Sequence, residues 1–216
     1  MTMRDCIVVA VEGTHASGKT TLVHALTAHY GVRGVLVDCI GEPARTSPFI
    51  EETVIHGRGD FDLATEIDLF AAQLSATLRA ARHHHLLICD KTVANVLAYA
   101  GMMLPAPLGG HVATVLDAMA GFCRGWAPLT YDAVFYLPDR YRHPADPLRA
   151  KVAHLQAATA DAVRRACVDV GIALVDVPAG LDVAGRVAWI ARRVDPLLAG
   201  SAARVGGHDG RADAPG

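Results

Sequence analysis

A chain of 216 residues, 52% of them hydrophobic, is long enough to bury one sizeable core and too apolar to be disordered. With 20 basic residues against 22 acidic ones the formal charge is −2, which speaks against a nucleic-acid coat or a polybasic membrane anchor. Five scattered cysteines (Cys6, Cys39, Cys89, Cys123 and Cys167), with no C-x-x-C among them, suit a reducing compartment better than a disulfide framework. The chain enters a strand soon after Arg4-Asp5 with no leader pattern, and no stretch reaches the roughly 20 apolar residues that span a bilayer. The expectation is a soluble, cytoplasmic protein.

The first predicted strand is Ile7-Val8-Val9-Ala10-Val11, continuous and rich in β-branched residues, as a strand buried on both faces should be. Gly13-Thr14-His15-Ala16-Ser17-Gly18-Lys19-Thr20 follows, with the spacing G-x-x-x-x-G-K-[ST]. Thr21 then opens a helix that runs to Tyr30. Strand, glycine loop and helix together are the context a P-loop requires. Gly13 and Gly18 let the backbone turn sharply and approach a polyphosphate. The loop amides and the start of the helix supply donors and partial positive charge. Lys19 is placed to reach the β- and γ-phosphates of ATP, and the Thr20 hydroxyl to ligate Mg²⁺, a hard cation that prefers oxygen. His15 occupies a free position of the loop, as a spacer or a substrate contact.

A second strand, Val35 to Ile40, ends in Gly41-Glu42-Pro43-Ala44-Arg45, where the proline stops the ladder. Asp62 caps a helix from Leu63 to about Arg82, with Leu63, Ile67, Phe70, Leu74 and Leu78 as its apolar positions. His83-His84-His85 reads as a solvated helix terminus rather than a metal site. A third strand, Leu86 to Asp90, leads through Lys91-Thr92 into a helix that carries Tyr99 and stops at Gly101. Another helix is expected from about Gly110 to Cys123, with Trp126 and Pro128 in a loop after it. Tyr131 to Pro138 is the fourth strand. A polar segment with Arg140, Arg142 and Arg149 follows, then a helix from about Leu148 to Val170. The fifth strand is Ile172 to Pro178, and a final helix spans about Asp182 to Leu198. Residues 199–216, poor in bulky apolar groups, read as a flexible C-terminal tail.

Apolar strands alternating with helices predict an α/β fold: a five-stranded parallel sheet with helices on both faces, in three layers, within one domain of residues 1–198. Open sheets of this kind bind ligands just beyond the carboxyl ends of their strands. Glu42 and Asp90 end the second and third strands. One carboxylate is suited to hold Mg²⁺ through water, the other to take the proton of an attacking hydroxyl. Arg45 and Lys91 are candidates for acceptor or phosphate charge. Arg140, Arg142 and Arg149, within residues 139–149, are candidates for a lid closing on the phosphates. Phe70, Gln73 and Tyr99 are candidate walls of an acceptor pocket, with core packing an equal alternative for the two aromatics.

Longer stretches carry a resemblance. Val11-Glu12-Gly13 through Thr21-Leu22 resembles the opening of thymidylate kinases, and Glu42-Pro43 resembles the Glu-Pro turn shared by thymidylate and deoxynucleoside kinases. Leu69-Phe70-Ala71-Ala72-Gln73 and Asp90-Lys91-Thr92 through Ala98-Tyr99-Ala100-Gly101 resemble two further thymidylate kinase segments. Glu42-Pro43-Ala44-Arg45, Tyr131-Asp132-Ala133-Val134-Phe135 and Asp146-Pro147-Leu148-Arg149 are similar to segments of the AAA-like ATPase/kinase domain that includes bacterial ribosylnicotinamide kinases. The likeness covers about residues 5 to 180. It implies a nucleoside/nucleotide kinase-like P-loop NTPase fold, ATP and Mg²⁺ as cofactors, Glu42 as the base near the acceptor hydroxyl, Asp90 as a metal or base carboxylate, and Arg149 as the lid arginine. Three departures bear on the acceptor. Gly41, Lys91 and Leu74 stand where thymidylate kinases carry the arginines that grip a monophosphate. The resemblance with these departures implies γ-phosphoryl transfer from ATP to a hydroxyl of a nucleoside-like small molecule. A nucleoside-monophosphate kinase and a regulatory NTP-binding switch are the alternatives. No nucleic-acid polymer or membrane is expected as a partner, and a homodimer is compatible with the sequence.

Overall fold

Five short runs of β-branched and apolar residues form one parallel sheet: β1 (Ile7–Gly13), β2 (Val37–Ile40), β3 (Leu86–Asp90), β4 (Ala133–Leu137) and β5 (Leu174–Asp176). In the computed structural model the described residues are 6–14, 17–52, 62–104, 109–138 and 147–206, without side chains at 147–157 and 202–206. The strand order is β2-β3-β1-β4-β5, so β1 is central and the chain reverses its direction of winding beside it. Val9 lies level with Ile88 on one side and Ala133 on the other.

The connections are helical: α1 (Lys19–Gly31), α2 (Pro48–Ile50), α3 (Leu63–Ala81), α4 (Val93–Met103), α5 (Gly110–Thr130), α6 (Pro147–Asp169) and α7 (Val183–Gly206), with a 3₁₀ turn at Pro43–Arg45. Alternation along β1 sorts them into two layers. Val8 and Ala10 face one core with Leu87, Cys89, Val134 and residues of α3 to α6. Val9 and Val11 face the other with Ile88, Phe135, Leu22 and Leu26 of α1, and Ile190 and Val194 of α7. The three-layer α/β expectation therefore holds. Among the described residues no helix is long and apolar enough to cross a membrane.

Several boundaries differ from the sequence reading, each for a tertiary reason. Helix α5 does not stop at Cys123; it continues through Trp126 and Pro128 to Thr130. Trp126 stacks on Phe122 at 5.8 Å, and Cys123 and Ala127 are fully buried, so packing outweighs the backbone hydrogen bond that Pro128 removes. Helix α7 passes Pro196 and Leu198 for a similar reason. Val194 is buried, Leu197 and Leu198 pack on the core, and Asp195 accepts from Tyr30 Oη at 3.0 Å. Helix α4 likewise runs past Gly101 to Met103. Residues 207–216 of the expected tail lie outside the described residues.

The largest difference is the orientation of α3. Its Asp62 cap is as expected, accepting from Thr65 N at 2.9 Å. Its buried residues, however, are Thr65, Glu66, Leu69, Gln73, Thr77 and Ala81, while Ile67 and Leu78 are 44% and 45% exposed. Past α3, His84 Nδ1 lies 2.9 Å from Ala80 O, and His85 N donates to Leu36 O at 2.8 Å, so this turn docks on the chain entering β2. Among the described residues no group of three His, Cys, Asp or Glu side chains is placed to hold a metal ion.

Candidate active site

The end of β1 turns at Gly13, whose φ of 148° is open to glycine and strained for other residues. A Cβ there would also come within 2.9 Å of Ser17 Oγ and 3.0 Å of Leu137 O. Gly18, at φ 86°, precedes α1 and contributes no side chain to its first amides. These amides are the orphan donors that make a helix N-terminus an anion site. Ser17 Oγ donates to Thr14 O at 2.9 Å, and Lys19 Nζ donates to the same carbonyl at 2.7 Å. Burial, and then the charge of Lys91, hold the Lys19 ammonium below its ordinary value. Thr21 is exposed at the start of α1, while His15 and Ala16 lie outside the described residues.

Next to this loop, Thr20 Oγ1 donates to Asp90 Oδ2 at 2.6 Å. Asp90 is buried, and its Oδ1 has no hydrogen-bond partner. A hydroxyl beside a carboxylate with an unused oxygen is a donor set that fits a hard divalent cation such as Mg²⁺.

The acceptor candidates also converge. Lys91 follows β3 in a left-handed conformation at φ 82°, the one described non-glycine residue with positive φ. Its backbone N donates to Val11 O at 3.1 Å, tying this bend to the base of the glycine loop. Its Nζ donates to Glu42 Oε1 at 2.5 Å and lies 4.9 Å from the centre of the Tyr99 ring. Burial works to lower the Lys91 ammonium, but Glu42, Tyr99 and Glu12 outweigh it and raise it above its ordinary value. Arg45, largely exposed, reaches Glu42 Oε2 at 3.7 Å. Gln73 Nε2 donates to Lys91 O at 3.4 Å. Phe70 instead packs edge-on against Phe122 at 5.8 Å, beside the core. Arg149 lies in the first turns of α6 with no side chain described, and Arg140 and Arg142 lie outside the described residues.

Four groups escaped the sequence reading. Glu12, one residue before Gly13, is fully buried. Its Oε1 accepts from Thr92 N at 2.7 Å and Thr92 Oγ1 at 2.8 Å, and its Oε2 from Asn95 Nδ2 at 2.9 Å. Burial raises the Glu12 carboxyl, opposed by the Thr92 donors and the charges of Lys91 and Lys19. A charged residue inside an otherwise apolar strand was the available signal for it. Tyr131 Oη accepts from Val93 N at 3.0 Å and Asp132 Oδ2 from Val8 N at 2.7 Å, so this Tyr-Asp pair organises the sheet and the start of α4. Arg186 on α7 is buried and donates to Ser17 O at 3.0 Å, bracing the glycine loop from the far side. Glu66 on α3 is fully buried with no partner for either oxygen, and burial pushes its carboxyl up to about 8.

A family model described as an AAA domain matches residues 8–186. Among solved structures, the chain is similar to a thymidylate kinase from Candida albicans, with a TM-score of 0.62 and 16% identity over 88% of this chain and 92% of that one. A thymidylate kinase from Ehrlichia chaffeensis aligns with a TM-score of 0.54 and 15% identity over 88% of this chain and 98% of that one. No curated protein matches the sequence. The fold is thus the P-loop kinase fold of thymidylate kinases.

Proposed function

The chain belongs to the AAA-domain family, and on that premise we propose that it is a Mg²⁺-dependent phosphotransferase moving the γ-phosphoryl group of ATP to a hydroxyl of a nucleoside-like small molecule. The observation that carries this reading is the meeting of Lys19, Thr20 and Asp90 with the Glu42–Lys91 pair at one end of the sheet. Phosphoryl transfer needs little covalent help from a protein; it needs an in-line acceptor and positive charge on the moving group.

In this mechanism the amides from Thr14 to Thr21 hold the β- and γ-phosphates, and Lys19 exchanges the Thr14 carbonyl for a phosphate oxygen. Thr20 and Asp90 hold the cation, which supplies neutralisation of charge on the transferring group. Glu42 accepts the proton of the acceptor hydroxyl, and Lys91 holds its carboxylate in place. Tyr99 and Gln73 line the acceptor side around Lys91, and Arg140, Arg142 and Arg149 are the candidates to neutralise the phosphates.

A nucleoside-monophosphate kinase is the second reading, favoured by the thymidylate kinase fold, with Arg45 and Lys91 on the acceptor phosphate. Against it, Lys91 is already engaged by Glu42, and Gly41 and Leu74 supply no cation. Offering nucleosides and their 5′-monophosphates with MgATP and following ADP release separates the two. Stimulation by unphosphorylated acceptors supports the first reading, stimulation by monophosphates alone the second. Turnover unmoved by any acceptor, with nucleotide-dependent partner binding, would instead indicate a regulatory ATPase.

Glu42→Gln is expected to lower acceptor-stimulated kcat by about 10²-fold, the usual weight of a general base, while the Kd for MgATP stays within about threefold. Steady-state kinetics and calorimetry check this. A loss of nucleotide affinity with kcat intact would make Glu42 a structural partner of Lys91.

A further inference from the structure

Helix α3 turns polar residues inward, and all but one have an internal partner. Thr65 Oγ1 donates to Asp62 Oδ1 at 2.9 Å, Thr77 Oγ1 to Gln73 O at 2.8 Å, and Gln73 Nε2 to Lys91 O at 3.4 Å. The exception is Glu66, which is fully buried with both oxygens unpartnered. Gln73 Oε1 and Asp90 Oδ1 are also buried and unpartnered.

Their positions are related. β2 and β3 are parallel, so α3 between them starts on the side where the strands end. Gln73 meets the residue that follows β3. Glu66 lies seven residues earlier, about 20° away around the helix and about 10 Å further along it. The face that brings Gln73 to Lys91 therefore carries Glu66 further toward the side on which β2 and β3 end. A buried carboxyl without a donor is costly, and buried polar groups are otherwise satisfied almost throughout a protein. The chemistry that completes this face is a set of N–H or O–H donors. Anionic ligands are disfavoured, because Lys91 is committed to Glu42.

We propose that Glu66, with the Gln73 carbonyl, is the specificity determinant of the acceptor pocket, accepting hydrogen bonds from an unphosphorylated, neutral or cationic, donor-rich molecule and rejecting its phosphorylated form. The proposal rests on the phosphotransferase reading for the word acceptor; the binding site itself is tested separately.

The test is calorimetry on the full chain loaded with Mg²⁺ and a non-hydrolysable ATP analogue. The probes are adenosine, guanosine, cytidine, thymidine, cationic 7-methylguanosine and the matching 5′-monophosphates. At least one unphosphorylated probe is expected to bind, with its monophosphate at least about tenfold weaker. Glu66→Leu is expected to weaken that probe by about 30-fold, and Glu66→Gln, which keeps a carbonyl acceptor, by no more than about fivefold. Affinity for the ATP analogue stays the same in all three proteins. Should Glu66→Leu not fold, Glu66→Met takes its place with the same expected loss. The proposal is overturned if no probe binds, if a monophosphate binds tightest, or if the apolar variant binds like wild type. Binding as expected without acceptor-stimulated ADP release would sink the phosphotransferase reading and leave the site standing. ADP release stimulated by monophosphates alone would do the opposite.

Discussion

Lys19→Ala is expected to lower acceptor-stimulated turnover by about 10³-fold while leaving a folded protein. A single preorganised donor aimed at developing charge commonly contributes 10² to 10³ in rate, and the Lys19 side chain is a donor in a buried setting. Its described hydrogen bond is to a loop carbonyl, Thr14 O at 2.7 Å, so its removal takes away little that supports the cores. The melting temperature should stay within about 3 °C of wild type, since the packing of both cores is untouched. Kinetics with saturating MgATP and a circular-dichroism melt decide the matter. Wild-type rates in the variant would remove the loop from the chemistry.

The second large effect concerns stability against pH. The Glu66 carboxyl titrates near 4.5 in an unfolded chain and is pushed up to about 8 by burial in the folded one. Below the lower value both states hold the proton and the group is neutral in its effect on folding. Between the two values the unfolded chain releases its proton while the native chain retains it, so stability falls as pH rises. Above about 8 the loss is complete. At about 1.4 kcal/mol per unit of displacement, less what native-state relaxation recovers, the total loss is on the order of 3 kcal/mol. Glu66→Gln has no proton to release, and any penalty for its buried amide is the same at every pH. The melting temperature of the variant relative to wild type is therefore expected to rise by about 6 °C or more between pH 5 and pH 8.5. A difference that does not change with pH would show that Glu66 ionises freely in the native state.

The order of the elements was legible because local pattern and tertiary environment agree there. Leu86–Asp90 is a strand in both readings, and Asp62 caps α3 in both. Helix limits were less legible at Pro128 and Pro196, where aromatic stacking and buried apolar contacts distant in sequence overrule a local breaker. The inward face of α3 was misread because apolar spacing reports contact with a core. At the start of this helix the charged Glu66 is inside and the apolar Ile67 outside, so spacing alone picks the wrong face. Lys19, Thr20, Glu42, Asp90 and Lys91 were legible one by one around the glycine loop, Glu12 was not, and no pairing among them was. Lys91 with Glu42, and Glu12 with Thr92 and Asn95, are joined across strands by register, which no single segment encodes.

The Glu12 carboxylate sits immediately ahead of the glycine turn and accepts from Thr92 and Asn95 at the start of α4, while the Lys91 amide is fastened to the same strand at Val11. Both sides of the candidate site are thus tied to β1, the central strand of the sheet. On the proposed reading, the spacing between phosphoryl donor and recipient is a dimension of the sheet itself.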